Sequence, residues 1–198
     1  MINDSELEIP TSAVLYAKFS DVEDILAALD NDKMDKVNPT GTGYFSLNRK
    51  TDHTPGLNSV AVGNQTTASG DYSFAGGNQT IASGLGSHAE CNNTEASGEH
   101  SHAEGNNTEA SGSDSHAEGD HTVASGPYSL AEGAYATASG NHSHAEGYST
   151  KASGPYSHTE GFSTTASGSC SHAEGASTTA SGNHSHAEGY YTKATHKA

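Results

Sequence analysis

The sequence predicts an all-β solenoid, a parallel β-roll of fourteen-residue coils preceded by a short N-terminal α-helical segment. Three observations predict it. First, Gly63, Gly77, Gly105, Gly119, Gly133, Gly147, Gly161, Gly175 and Gly189 lie on one fourteen-residue lattice, with Cys91 in the remaining slot. That makes ten coils without an insertion. Second, the unit reads Ser-His-Ala-Glu-Gly-x-x-Thr-x-Ala-Ser-Gly-x-x, cleanly from Ser101 to Gly112. Two strand-like stretches alternate with two turns. Third, hydrophobic residues are 31%, tryptophan is absent, and Leu, Ile, Val and Phe together number 22 of 198. Ordinary globular chains are roughly 45–50% apolar. So poor a chain is either disordered or folded around small residues. Disorder does not keep register over ten coils, whereas stacking requires it.

Taken in order, residues 1–34 are expected to form a helical trimerisation or docking segment. Leu15, Phe19, Val22, Leu26 and Leu29 follow the 4-3-4-3 spacing of a coiled-coil seam. Ser20 and Glu23 could instead cap a shorter helix, and an amphipathic helix packed on its own chain fits as well. Residues 35–58 read as a linker and a first capping strand. Asn38-Pro39-Thr40-Gly41-Thr42-Gly43 breaks any helix, and Tyr44-Phe45-Ser46-Leu47 is strand-like. Residues 59–198 are the roll.

Side chains alternate faces along a strand. Ser101 and Ala103 therefore share one face, and His102 and Glu104 the other. Thr108 and Ala110 share a face with Glu109 opposite. The position between Thr and Ala runs Thr67, Ile81, Glu95, Glu109, Val123, Thr137, Lys151, Thr165, Thr179, Lys193, a mixture that only solvent tolerates. The interior is then the Ser, Ala, Thr, Ala set, with glycines expected to supply unusual backbone angles at both turns. Asn64, Asn78, Asn92 and Asn106 should stack as an amide ladder. At about 4.8 Å per strand, ten coils make a rod of roughly 48 Å.

Composition excludes several function classes. A net charge of −16 with eight Lys plus Arg argues against nucleic acid, which is bound through clustered cations. Membrane insertion is not expected, because no apolar run approaches the ~18–20 residues needed. The acidic start, Met1 to Glu6, has no following apolar run and does not read as a secretory signal.

With the repeat laid out, Asn58-Ser59-Val60-Ala61-Val62-Gly63 followed by Thr66-Thr67-Ala68-Ser69-Gly70 resembles the head repeat of YadA-like trimeric adhesins. The Ser-His-Ala-Glu-Gly coils resemble the variant found in tail-fibre and appendage proteins of phages and prophages of Gram-positive bacteria. Met34 to Gly43 is similar to the lead-in of such proteins. The resemblance implies a left-handed roll, a homotrimer and a role in attachment. It implies a fibre head on a virion or tail appendage, facing a cell-surface glycan or protein. The expected alternative is a bacterial surface adhesin head that binds host matrix or glycans. A β-solenoid glycan-active enzyme is a weaker alternative, because the acids are spread evenly rather than paired in one region. The chain is thus expected not to be an enzyme, and no cofactor is expected.

The resemblance also places the outward columns of the long strand at the trimer interface. Those columns hold Val60, Val62 and Phe74 first, then His88, Glu90, His102, Glu104, His116, Glu118, Glu132, His144, Glu146, His158, Glu160, His172, Glu174, His186 and Glu188. If each imidazole bonds a carboxylate of a neighbouring chain, the histidine pKa should rise above ~6.5. Imidazole and carboxylate are competent metal ligands, but no metal is expected, and deaminase chemistry lacks its Pro-Cys-x-x-Cys partner. Cys91 and Cys170, roughly 26 Å apart at one strand spacing per coil, should not bond. Tyr72, Tyr128, Tyr148, Tyr156, Phe162, Tyr190 and Tyr191 should be exposed at the turns, where they pack on their neighbours or meet a sugar or protein.

Overall fold

The computed structural model describes residues 45–49 and 54–195. The helical segment and its seam, Leu15, Phe19, Val22, Leu26 and Leu29, lie outside the described residues. Strand β1 (Phe45–Arg49) runs parallel to β2 (Val60–Ala68), pairing Phe45 with Val60, and a register shift then brings Arg49 opposite Thr66. From β3 (Phe74–Asn78) and β4 (Ile81–Ala82) onward, each coil contributes a five-residue strand and a two-residue strand, ending at Lys193–Ala194. From β2 onward the described strand pairs are parallel and in step: His102 faces His116, Glu104 faces Glu118, and Glu95 faces Glu109. The fourteen-residue lattice is therefore the hydrogen-bonding register itself.

The result is a parallel β-solenoid with a long-strand face and a short-strand face. Its interior is as small as the composition requires. Ala103, Ala110 and Ala117 are fully enclosed, as are Thr108 and Thr122, and no Leu or Phe lies among the buried core residues. Coils this narrow gain little from any one side chain, so stability accumulates coil by coil. The serine column is mixed: Ser87, Ser129, Ser157 and Ser185 are enclosed without a hydrogen-bond partner, and others are paired. The Ser101 hydroxyl donates to the Gly98 carbonyl at 2.7 Å, as Ser73, Ser115, Ser143 and Ser171 do to their own glycines. The Thr66, Thr80, Thr94 and Thr108 hydroxyls are enclosed without a partner. Ala136 stands in the same column, so the hydroxyl is dispensable there.

Two expectations need correction. Glycines supply unusual backbone angles at one turn only, Gly63, Gly105 and their counterparts having φ of 101–130°, and of the tighter left-handed turn positions glycine holds just Gly86, at φ 61°. The others are held by Gln65, Tyr72, Asn107, Tyr128, His142 and their counterparts, with φ of 53–58°. One glycine column is needed for close approach instead: a Cβ on Gly112 would run into the Gly126 carbonyl one coil on. The other column, typified by Gly105, has φ of +117° and would also meet the next coil's backbone. Cys91 occupies this second column at φ 81°. Secondly, Thr67 is buried, whereas Ile81, Glu95, Glu109 and Lys151 in the same column are exposed as expected.

The amide ladder is present. Asn64 Nδ2 donates to Asn78 Oδ1 at 2.7 Å, Asn78 to Asn92 at 2.8 Å, and Asn92 to Asn106 at 2.7 Å. Asn106 then donates to Asp120 at 2.7 Å. A second ladder at the adjoining turn, Gln79 to Gln65 and Asn93 to Asn107, escaped the sequence reading because its residues vary more.

Candidate interaction face

The long-strand face gathers the histidine and glutamate columns. Parallel in-register pairing puts each residue above its copy in the previous coil, so imidazoles stack. Ring centroids are 4.8 Å apart for His88 and His102, 4.7 Å for His102 and His116, and 4.7 Å for His144 and His158. Phe74 begins the stack, 4.7 Å from His88. Val60, Val62 and Phe74 are half-buried on this face. Leu130 interrupts the column between His116 and His144.

Six of the seven imidazoles in the column lean toward a carboxylate of their own chain, and His158 does not. His88 Nε2 lies 3.4 Å from Glu90, His116 3.6 Å from Glu118, and His172 3.5 Å from Glu174. His102–Glu104 and His186–Glu188 are looser, at 3.8 and 3.9 Å. The pairs are half exposed, where ion pairs contribute little. Nε2 of His88, His102, His116, His158 and His172 is sealed from solvent yet forms no hydrogen bond.

The electrostatics of one chain reverse the expected shift. His102 is pulled below the ordinary imidazole value, first by burial in the stack and then by repulsion from His116 and His88. Glu104 and Glu90 oppose this but do not overcome it. His158 is lowered in the same way, by burial and by His144 and His172. The rise above ~6.5 anticipated from interchain carboxylates is therefore not a property of the single chain. His102 and His158 each lie between two other imidazoles, whose positive charge would oppose their protonation.

The turns carry the aromatics, and all seven anticipated rings are exposed, with Tyr135 as an eighth. They are stacked as well: Tyr128 on His142 at 4.7 Å, His142 on Tyr156 at 5.1 Å, and Tyr148 on Phe162 at 5.3 Å. Stacked rings cover one another's faces, which leaves edges rather than platforms for a sugar. The arrangement supports turn packing first. At the other turn Asp120 is held below the usual carboxylate range, chiefly by the Asn106 amide and then by His121. Cys91 and Cys170 are exposed and unbonded. Among the described residues no helix is long and apolar enough to cross a membrane.

The short-strand face has no comparable chemistry. Ile81, Glu95, Glu109, Lys151 and Lys193 succeed one another without pattern. A shallow groove of about 330 Å³ lies at its N-terminal end, lined by Gln65, Thr67, Ser69, Gln79, Ile81, Ser83 and Asn93.

Comparison with known families agrees with this architecture. The YadA head domain repeat matches residues 55–80, 103–129 and 117–143. The chain carries YadA-like head repeats, and its parallel solenoid is consistent with them. No curated protein matches the chain.

Proposed function

We propose that this chain is a non-enzymatic attachment module, the head of a homotrimeric fibre that presents its β-roll to a cell surface. The observation that carries the reading is a contrast on the surface of one rod. The long-strand face repeats His and Glu in nearly every coil, although solvent does not require it, while the short-strand face drifts freely. An exposed surface that returns to the same His and Glu pair in seven of ten coils is suited to repeated contact with a partner. The head-repeat match supports a second copy of this chain as that partner. His88 to Glu188, with Val60, Val62 and Phe74, would then line the three-fold interface.

The Ser-His-Ala-Glu-Gly form of the coil favours a phage or prophage particle, with the chain as the receptor-binding head of a tail fibre. A bacterial surface adhesin head is the second reading, and the family match favours it. In both settings the chain works outside the cell, against a surface glycan or protein. Catalysis finds no support in the layout, because the carboxylates recur evenly along the lattice instead of converging on one pair.

Light scattering of a dilute sample tests the assembly. The expected mass is about three times the chain mass of 20.2 kDa, and a single-chain mass would refute the reading. A glycan array with the assembled protein then tests the receptor class.

A further inference from the structure

We propose that the interruption of the imidazole column at Leu130 creates a divalent transition-metal site formed by His144, Glu146 and His158. In five coils the imidazole pairs with the glutamate two residues later on its own strand. Leu130 leaves Glu132 without such an imidazole. His144 turns back to fill the gap, and its Nε2 lies 3.3 Å from Glu132 Oε2. The pairing has slipped by one coil. Glu146 is left without an ion pair, and His158, alone of the seven imidazoles in the column, also has no carboxylate within ion-pair distance.

These two unpaired groups lie beside His144. One ligand atom from each of His144, Glu146 and His158 falls within 4.8 Å of the others. Two imidazoles and a carboxylate, with a fourth position open to water, form a recognised zinc ligand set. Bonds of about 2.0–2.2 Å require ligand atoms to close to roughly 3.3 Å, which half-exposed side chains can reach by rotation. Glu132 and Glu160 flank the cluster and add negative charge that favours a cation. The second cluster, Glu174, His186 and Glu188, offers one imidazole only, already leaning on Glu188. All three ligands come from one chain but lie on the face proposed above for assembly, so light scattering with and without Zn²⁺ accompanies the titration and separates a failure of the site from a failure of that reading.

The test is a calorimetric titration of the purified full chain with Zn²⁺, checked by reversal with EDTA. One tight equivalent per chain is expected. His158→Ala and Glu146→Gln should each weaken it at least tenfold, whereas His100→Ala, at a turn beside Asp114, should leave it intact. The sharpest variant is Leu130→His, which keeps every ligand but gives Glu132 its own imidazole and returns His144 to Glu146. It should weaken binding several-fold. No binding by the unaltered chain would overturn the proposal. Weak binding of several equivalents, reduced equally by His100→Ala, would identify surface histidines only and overturn it too. Tight binding that survives Leu130→His would refute the slipped pairing as the origin of the site.

Discussion

The two outer faces of this rod share one backbone lattice and one interior, yet they differ in what they keep. On the short-strand face, Ile81, Glu95, Glu109, Val123 and Lys151 occupy equivalent sites. On the long-strand face the equivalent sites return to His and Glu coil after coil. Folding cannot require that constancy, because the short strands fold without it. The cost is visible as well: like charges stack on adjacent strands, and imidazoles are pushed away from protonation. The contrast is what supports the proposal that the long-strand face is the contact face.

The largest expected effect comes from making one chemical change on both faces. His102→Asp with His116→Asp puts acids among the acids of the long-strand face. This pair should reduce the assembly measured by light scattering from three chains to one. Thr165→Asp with Thr179→Asp makes the same change on adjacent short strands. The assembly should survive it, with a stability loss below about 1 kcal/mol. Dissociation by the second pair as well would remove the distinction between the faces.

Acidity should act mainly through the long-strand face. The folded pKa of His102 and of His158 is depressed, so the unfolded chain binds more protons in acid. Their contribution is complete above the unfolded value near 6.5 and fades as pH falls through the lower folded value. The melting temperature of metal-free protein should therefore drop between about pH 7.5 and 5. Replacing His102 and His158 with Gln should flatten that drop. A maximum in mild acid would show instead that carboxylates of neighbouring chains dominate.

The interior sets the smallest effects, and both faces should share them. Ser101→Ala removes the bond to Gly98 and should cost about 1 kcal/mol. Thr108→Val removes a hydroxyl that has no partner and should be neutral or stabilising by a few tenths of a kcal/mol. Chemical denaturation of the two variants measures both.

Much of this was legible in the sequence, because the lattice is both a sequence period and a hydrogen-bond register. The Ser, Ala and Thr interior and the Asn64 ladder follow from alternation alone. The role of the glycines did not, since close approach to the next coil and a left-handed φ leave the same letter in the sequence. Gln65 and Tyr72 give no sign that they hold the left-handed turn. The lowered imidazole pKa required ring stacking to be seen, because the sequence suggested the carboxylates and not the neighbouring rings. The slip at Leu130 was illegible for a similar reason: Glu132 looks like every other glutamate until His144 is found leaning back on it.

Carboxyl labelling of the assembled protein, with a carbodiimide and an amine, tests the central claim most directly. In the single chain both faces are open to reagent: the Glu104 and Glu118 side chains are 45% and 55% accessible, and Glu95 and Glu109 are exposed. If the long-strand face is the assembly face, Glu104 and Glu118 will be protected while Glu95 and Glu109 are amidated. Equal labelling of the four glutamates would contradict the account.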